Sequence, residues 1–284
     1  MNILVTGCKG QLGREVQRLA LSHPTHHYIF TDVEELDITD ANAVDTLMER
    51  EAVDCVINCA AYTAVDRAEG DEAKAQLLNA TAPGFLARAV AQRGGAMIHI
   101  STDYVFDGTA HTPYTEDRPV CPVSAYGRTK LAGERAVVAA CPRSVILRTA
   151  WLYSPYGNNF VKTMMRLGCE RDELGVIFDQ IGTPTYAADL AKAVFAILEQ
   201  DMVPGIYHYS NEGVTSWYDF ALAIHRLAGI VTCYVRPLRT AEYPTPAVRP
   251  AYAVLDKTKI KNTYHIHIPH WYDSLRECIE ILQK

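Results

Sequence analysis

The feature that most constrains the fold is a glycine-spaced turn that directly follows the first apolar segment. Residues Asn2–Thr6 form a short apolar run typical of a buried parallel strand, and amphipathic helical spacing begins after Gly13. The three glycines Gly7, Gly10 and Gly13 permit a tight turn and a close approach of the backbone to a ligand. A strand, such a turn and a helix N-terminus form a common site for the pyrophosphate of a dinucleotide. The segment therefore predicts a dinucleotide site, with a plain glycine-rich turn as the alternative.

The segments that follow alternate between apolar runs and helical patterns. Strands are predicted at 27–31, 53–59, 96–100 and 145–149. This βαβα order predicts an α/β fold with a Rossmann-like, doubly wound parallel sheet over residues 1–150. Beyond residue 150 the pattern becomes irregular. We expect residues 151–284 to form mostly a smaller α/β substrate-binding lobe, with the helix at 187–200 returning to the first domain.

Composition excludes several classes of protein. The 284-residue chain carries a net charge of −6 at pH 7 and has no Lys/Arg cluster, so nucleic-acid binding is not expected. No apolar run reaches the ~18 residues of a membrane span, and the N-terminus lacks signal-peptide features. Eight cysteines without a C-x-x-C pair indicate a cytoplasmic protein without disulfides. The cluster of His265, His267 and His270 lacks further ligands at metal spacing, so no metal site is predicted.

Tyr126 and Lys130 form a candidate pair for proton transfer. Four residues apart in a predicted helix, they share one face and can project into the same cleft. A free phenol titrates near pH ~10, and a nearby ammonium favours the phenolate and lowers that pKa. The pair could therefore act as an acid or base near neutral pH. The alternative is a solvated tyrosine and lysine on an ordinary helix surface.

Polar residues follow the predicted strands at the edge where parallel sheets bind their ligands. Asp32 ends the second strand and is a candidate for the adenosine ribose hydroxyls; its charge repels a 2′-phosphate, which favours NADH or tolerance of both NADH and NADPH. Asp37 could reach the adenine or cap a helix. Thr102 follows the fourth strand and is a candidate hydroxyl for a substrate carbonyl. The alternatives for Asp32 and Thr102 are roles in turns or caps.

Several segments together resemble the extended short-chain dehydrogenase/reductases, and among these most closely the reductases of 4-keto sugar nucleotides. The glycine turn at 7–13 and the Tyr-x-x-x-Lys motif at 126–130 are the general signatures. The more specific segments lie at 58–69, 101–106, 148–153, 157–160, 179–185 and 243–250. The resemblance covers nearly the whole chain. It implies reduction of a sugar-nucleotide carbonyl with NADPH or NADH as cofactor and a small-molecule dTDP-sugar as substrate.

The resemblance also implies roles for individual residues. Tyr126 would donate the proton, Lys130 would bind the nicotinamide ribose and lower the tyrosine pKa, and Thr102 would hydrogen-bond the carbonyl oxygen. Cofactor contacts are implied for these two helix residues and for Gly7, Gly10, Gln11, Leu12, Gly13, Asp32, Asp37, Ile38, Ala61, Tyr62 and Thr63. Substrate contacts are implied for Thr102, Asp103, Val65, Trp151 and Arg249, the last near the diphosphate.

Departures from the family pattern bear on assembly and on chemistry. Some members bridge two subunits with Mg²⁺; Glu15 matches one ligand, but Ala188 stands where a second acid would fall, so we expect a monomer or a homodimer without a bridging metal. Asp103 is followed by Tyr104, whereas dehydratases of the superfamily carry a second acid there for elimination. A reductase or epimerase acting on another 4-keto sugar nucleotide remains an alternative. A further alternative is a non-catalytic partner, because the regulatory subunit of methionine adenosyltransferase resembles the same family.

Overall fold

The structure is a computed structural model that describes all 284 residues. The fold is organised around one parallel sheet. Its six strands lie in the order β10-β5-β4-β3-β1-β2, and every neighbouring pair is parallel. The doubly wound α/β fold predicted from the sequence is confirmed. The strands are β1 Asn2–Thr6, β2 His27–Thr31, β3 Cys55–Asn58, β4 Ala96–Thr102, β5 Ser144–Thr149 and β10 Gly205–His208.

Helices cover both faces of this sheet. They are α1 Gln11–Ala20, α2 Ala41–Arg50, α3 Val65–Ala68, α4 Glu72–Gln76, a π-helical turn Leu77–Thr81, α5 Ala82–Gln92, α6 Ala125–Ala140, α8 Ala187–Glu199 and α10 Thr258–Tyr264. On one face Ile3 and Val5 of β1 pack with α1, α8 and α10. On the other, Leu4 packs with α2 and α5. Because successive strand residues point to opposite faces, burial on both sides explains why β1 is apolar without interruption.

The second half of the chain contributes to this sheet and also forms its own core. Strand β10 extends the sheet beside β5, and α8 packs in the same layer as α1. A separate cluster joins α7 Phe160–Glu170, α9 Trp217–Ala228 and α11 Trp271–Leu282 around a parallel pair of strands, β7 Glu173–Ile177 and β12 Tyr234–Leu238. The remaining short elements are β6 Leu152–Tyr153, β9 Thr185–Tyr186, β8 Ile181–Gly182, β11 Thr215–Ser216 and the 3₁₀ turns Asp103–Val105 and Thr240–Glu242.

Local hydrogen bonds set where the helices near the cleft begin. The Ser124 hydroxyl accepts a bond of 3.1 Å from the amide of Gly127 at the start of α6, and the Ser216 hydroxyl accepts one of 3.0 Å from Asp219 in α9. These are N-cap contacts, which satisfy amides that have no partner inside the helix. Each helix therefore begins at or just before a residue of the cleft described below, Tyr126 in α6 and Trp217 in α9.

The third strand is shorter than the predicted segment 53–59. The Val53 amide still bonds to the carbonyl of Met48 at the end of α2, at 3.1 Å, so that residue belongs to the turn before the strand. At the other end the chain leaves the sheet after Asn58 and enters the cleft. No helix of the structure combines the length and the apolar character needed to cross a bilayer.

Candidate active site

A cleft of about 900 Å³ opens at the carboxyl ends of the strands and is lined by both halves of the chain. This volume is at the upper end of the ~300–1,000 Å³ range of small-molecule sites. Most residues predicted from the sequence lie in its wall. They are Gly7, Gly10, Gln11, Leu12, Gly13, Asp32, Asp37, Ile38, Ala61, Thr63, Val65, Thr102, Asp103, Tyr126, Lys130 and Trp151.

The glycine turn leaves no space for side chains. Gly7 has φ +64°, and a Cβ there would lie 2.7 Å from the backbone nitrogen of Ala60. A Cβ on Gly13 would lie 2.3 Å from the Gly7 carbonyl oxygen. Gly10 precedes α1 as its N-cap and offers no side-chain acceptor to the first amides of the helix. The positive end of the α1 dipole therefore faces the cleft, which suits a pyrophosphate.

The end of β2 carries a concentration of negative charge. The Asp32 carboxylate accepts backbone hydrogen bonds of 2.9 Å from both Lys9 and Val33. The Lys9 ammonium does not oppose Asp32 but pairs with Glu34 at 2.5 Å and Glu35 at 3.2 Å. Three carboxylates against one ammonium leave this corner net negative. Its electrostatics suit ribose hydroxyls better than a 2′-phosphate.

Asp37 occupies a turn rather than a helix cap. Its carboxylate accepts bonds from the amide of Thr39 at 2.9 Å and from the Thr39 hydroxyl at 2.7 Å, and these bonds lower its pKa. Helix α2 is capped instead by Asp40, whose side chain accepts from the amides of Asn42 and Ala43. Asp37 remains exposed at the cleft edge, where it can meet a ligand.

The three predicted catalytic side chains meet where β4 and α6 approach each other. Helix α6 packs tightly here, since a Cβ on Gly127 would lie 2.2 Å from the Tyr104 carbonyl oxygen. Lys130 is buried, and its ammonium donates a 2.6 Å bond to the carbonyl of Ile100 in β4. The Thr102 hydroxyl donates to Asp103 at 2.9 Å and accepts from the Tyr104 amide at 3.2 Å. The edge-on ring of Tyr104 lies 5.4 Å from that of Tyr126.

Burial, rather than the neighbouring lysine, dominates the pKa of the Tyr126 phenol. Burial raises the pKa of Tyr126 to about 12, the Thr102 hydroxyl opposes this shift, and the charge of Asp103 adds to it. Burial also lowers the pKa of Lys130 to about 8, against the charge of Glu134. The net shift of Tyr126 is therefore opposite to the expected one. The reason is that desolvation disfavours the phenolate more strongly than nearby groups stabilise it. Tyr126 is a neutral acid at pH 7.

Asp103 is the most perturbed carboxyl group of the cleft. Its side chain is 2% exposed, and burial raises its pKa to about 7 although Thr102 and backbone amides act in the opposite direction. One of its oxygens, Oδ2, has no hydrogen-bond partner. A buried carboxyl oxygen without a partner is costly and is typical of a group that awaits a ligand.

Two predicted residues lie outside the cleft wall. Arg249 forms a two-pronged ion pair with Asp66 of α3, with bonds of 2.9 and 2.7 Å, which raises its pKa and lowers that of Asp66. Tyr62 packs in a small cluster with Tyr126. Its backbone is fixed by Asn79, whose side chain bonds to both the Tyr62 amide and the Tyr62 carbonyl.

The structure also places aromatic residues in the cleft that the sequence did not single out for binding. Trp217 lies in the wall with its ring centroid 3.6 Å from that of Trp151. Phe160 and Phe220 line the same side. The sequence signal for Trp217 is weak: it consists only of its place directly after a helix cap, where an N-terminal residue can face a cleft.

The two positions at which the family resemblance implied ligands for a bridging metal, 15 and 188, are both buried. Glu15 is buried, 1% exposed, and pairs with Arg18 at 2.9 Å, while Ala188 is buried in α8. No group of three or more His, Cys, Asp or Glu side chains with metal-binding geometry is present.

Comparisons with known proteins show which family the chain belongs to. The model of the family described as "RmlD substrate binding domain" matches residues 1–284 of this chain. The dTDP-4-dehydrorhamnose reductase of Clostridium acetobutylicum, a solved structure, is 47% identical with a TM-score of 0.96, and each chain covers 100% of the other. That of Bacillus anthracis, in complex with NADP, is 37% identical with a TM-score of 0.95 and 99% coverage of both chains. A probable dTDP-4,6-dihydroxy-2-methyloxan-3-one 4-ketoreductase of Streptomyces antibioticus is 44% identical over 279 residues, 98% of this chain and 94% of its own.

The match extends over the whole length and is not confined to the glycine turn. It includes the strand ends, the helix with Tyr126 and Lys130, and the lobe that carries Trp217. The resemblance that the motifs indicated is thereby confirmed. This chain belongs to the RmlD substrate binding domain family.

Proposed function

We propose that this protein reduces the C4 carbonyl of dTDP-4-dehydro-L-rhamnose to dTDP-L-rhamnose with NADPH or NADH, the last step of dTDP-rhamnose biosynthesis. The observation that carries the proposal is the meeting of Thr102, Tyr126 and Lys130 in a cleft that also contains the glycine turn. The names of the Clostridium and Bacillus relatives support the substrate, and the NADP bound to the latter supports the cofactor.

The residues present fit a nicotinamide dinucleotide. The backbone of Gly10, Gln11 and Leu12 would hold the pyrophosphate at the uncapped start of α1. Asp32 would accept bonds from the adenosine ribose, and Lys130 would hold the nicotinamide ribose. When bound, the reduced cofactor supplies the hydride. The remaining wall residues assigned to it, among them Ala61 and Thr63, come from the loop after β3.

Proton transfer is assigned to Tyr126. Because its pKa is raised to about 12, the phenol keeps its proton at neutral pH and can give it to the carbonyl oxygen as that oxygen gains negative charge. The Thr102 hydroxyl would donate a second hydrogen bond to the same oxygen, turning away from Asp103 to do so. Two donors placed in advance stabilise the developing charge.

The expected substrate contacts are other residues of the same cleft. Val65 and Trp151 offer apolar surface to the sugar, and the free oxygen of Asp103 can accept a bond from a sugar hydroxyl. Arg249 would reach the diphosphate only if its ion pair with Asp66 opens or is shared with the ligand.

A second candidate is reduction of a different 4-keto sugar nucleotide. The Streptomyces relative, a probable ketoreductase named for another dTDP-4-keto sugar, is 44% identical and covers nearly all of the chain. Both substrates present a C4 carbonyl to the same three catalytic groups, so the difference between them lies in the rest of the sugar pocket.

Three further features belong to the proposal. We assign residues 1–150 to a cofactor domain, joined by α8, and residues 151–284 mostly to a substrate lobe. We expect a monomer or a homodimer without a bridging metal. We place the reaction in the cytoplasm, supported by eight cysteines that are all free thiols.

The test is a turnover assay with purified protein. The absorbance of NADH or NADPH should fall when dTDP-4-dehydro-L-rhamnose is added, and the product should co-elute with dTDP-L-rhamnose. Turnover of the Streptomyces-type keto sugar at a higher kcat/KM would favour the second candidate. No oxidation of either cofactor with either sugar would overturn the reductase assignment and favour the non-catalytic partner.

A further inference from the structure

Two tryptophans from distant parts of the chain stack directly on each other in the wall of the cleft. Trp151 follows β5 and Trp217 begins α9; their ring centroids are 3.6 Å apart and their planes differ by 12°. Aromatic pairs in proteins usually keep centroids ~4.5–7 Å apart. The two indoles therefore form one closely packed apolar plate, supported by Phe160, whose ring is 4.6 Å from that of Trp217.

The backbone of Trp151 is in a conformation that a bulky residue rarely adopts. Its φ is +47°, in the left-handed region, where only two other non-glycine residues of this chain lie. Such a conformation persists only where the surroundings impose it, and it is common at ligand sites. The contacts that impose it on Trp151 therefore also determine where its indole lies in the cleft.

The indole of Trp151 packs against an apolar cluster that includes Leu131 and Leu255, and it has two further close neighbours. One is the stacked ring of Trp217. The other is Gly182 of β8, which lies so close that a Cβ at that position would be 2.7 Å from ring atom Cε2 of Trp151. Gly182 pairs with Thr215 in β11, two residues before Trp217, so a single short ribbon carries both contacts. Gly182 itself does not line the cleft.

We propose that Trp217 is a positioning residue for the reduction: by stacking on Trp151, it fixes the plate against which the sugar ring of the substrate lies. The inference rests on the proposed function, because it takes Trp151 as the contact to the sugar. The apolar face of a 6-deoxy sugar suits a flat aromatic surface. Neither tryptophan belongs to the glycine turn or to the acidic end of β2, so the effect falls on the sugar nucleotide and not on the cofactor.

The matched variants change the plate from both sides. Trp217→Leu removes the stack, and Trp217→Phe keeps an aromatic ring. Gly182→Ala displaces the Trp151 indole, because the new Cβ would lie 2.7 Å from its Cε2 atom. The substituted residue itself is not part of the cleft wall. Trp271→Phe is the control, since Trp271 is the third and last tryptophan and lies in the core of the same lobe, outside the cleft wall.

Three measurements separate positioning from general damage. Closely stacked indoles give an exciton couplet in the circular dichroism of the free protein. Calorimetry gives the Kd of dTDP-L-rhamnose and of NADPH, and turnover gives KM and kcat for the 4-keto sugar nucleotide. We expect Trp217→Leu and Gly182→Ala to lose the couplet. Both variants should raise the Kd of dTDP-L-rhamnose and the KM of the keto sugar nucleotide by about three- to tenfold, which corresponds to the free energy of one aromatic pair. The Kd of NADPH and kcat should stay within about twofold, Trp217→Phe should recover part of the loss, and Trp271→Phe should behave as wild type.

The outcomes are distinguishable. If wild type binds dTDP-L-rhamnose and both Trp217→Leu and Gly182→Ala bind it equally well, the positioning role is wrong and the proposed function stands. A parallel loss of NADPH affinity would also contradict the positioning role, because it would indicate general damage to the lobe. If wild type neither binds this nucleotide nor reduces the keto sugar, it is the proposed function that fails.

Discussion

Glu134 of α6 and Arg148 of β5 form a buried, two-pronged ion pair, with bonds of 2.8 and 2.7 Å. Their side chains are 2% and 3% exposed. The Ser101 hydroxyl donates a further bond of 2.5 Å to Glu134, and the charge of Glu134 is the one that acts against the lowered pKa of Lys130. The carboxylate that joins α6 to β5 therefore also favours the protonated form of Lys130.

Removing Glu134 should destabilise the protein strongly. Glu134→Ala leaves the Arg148 guanidinium buried without its counter-charge, and breaking a buried pair in this way costs about 3–5 kcal/mol. The free energy of unfolding from urea titration measures the loss. The control is Glu170→Ala, which breaks the exposed pair with Arg166 and should change it by less than about 0.5 kcal/mol. Equal effects of the two substitutions would contradict the importance of the buried pair.

Loss of the phenol proton should abolish most of the chemistry and little of the binding. Tyr126→Phe removes the proton donor, and general acid catalysis of this kind contributes about 10²–10⁴-fold to kcat. The Kd of NADPH should hardly change, since the ring remains. Tyr234→Phe, on an exposed tyrosine of β12, serves as the control. A Tyr126→Phe enzyme with full kcat would exclude the proposed mechanism.

Asp103 should make stability depend on pH with a definite sign. Its pKa is raised to about 7 in the folded protein from 3.8, so the native state holds the proton more tightly than the unfolded state. The stabilising contribution of the protonated form is complete below about pH 4 and is lost as pH rises to about 7. Asp103→Asn, which stays neutral, should therefore gain about 4 kcal/mol on wild type between these limits.

Urea unfolding of wild type and Asp103→Asn at several pH values measures this difference. Asp45→Asn is the control, because Asp45 is exposed on α2 and should show no comparable trend. If wild type and Asp103→Asn keep a constant difference from acid to neutral pH, the Asp103 carboxyl is not perturbed in the folded state.

The turn before α1 should accept no side chain. In Gly13→Ala the new Cβ would lie 2.3 Å from the Gly7 carbonyl oxygen, so the turn must distort and α1 must shift away from the cofactor site. We expect the affinity for NADH to fall at least about tenfold and the unfolding free energy by about 1–3 kcal/mol. Gly84→Ala in α5 is the control, since its Cβ would meet only the Cβ of Ala136 in α6, at an ordinary contact distance of 3.5 Å. Tight NADH binding by Gly13→Ala would show that the turn does not hold the pyrophosphate.

Local patterns sufficed for the parts of the site that depend on neighbouring residues. The glycine turn, the strand ends at Asp32 and Thr102, and the helix face of Tyr126 and Lys130 all follow from spacings of a few residues. Their common edge follows from the rule that parallel strands end together, and the cleft at that edge has these residues in its wall.

The properties that the sequence did not reveal depend on contacts between distant residues. Arg249 pairs with Asp66, 183 residues away, and no spacing encodes that contact. The sequence predicts a lowered pKa for Tyr126, because helix spacing places Lys130 near it. The pKa is raised instead, since burial depends on the tertiary structure and outweighs the nearby charge. The place of Trp217 in the cleft likewise depends on how the second lobe folds over the sheet.

The negative corner at the end of β2 should control the choice between NADH and NADPH. Asp32 accepts bonds from two backbone amides, and Lys9 is neutralised by Glu34 and Glu35, so a 2′-phosphate would meet three carboxylates and no free cation. We therefore expect a lower Kd for NADH than for NADPH.

The double variant Glu34→Gln, Glu35→Gln releases the Lys9 ammonium and should improve NADPH binding by about tenfold with little change for NADH. Adding Lys9→Met to this variant should cancel the gain, because the released cation is its cause. Fluorescence titration of both cofactors at low ionic strength measures the ratio, and salt should reduce it since these charges are exposed. A ratio of the two Kd values that is unchanged in the double variant would mean that this corner does not contact the 2′ position.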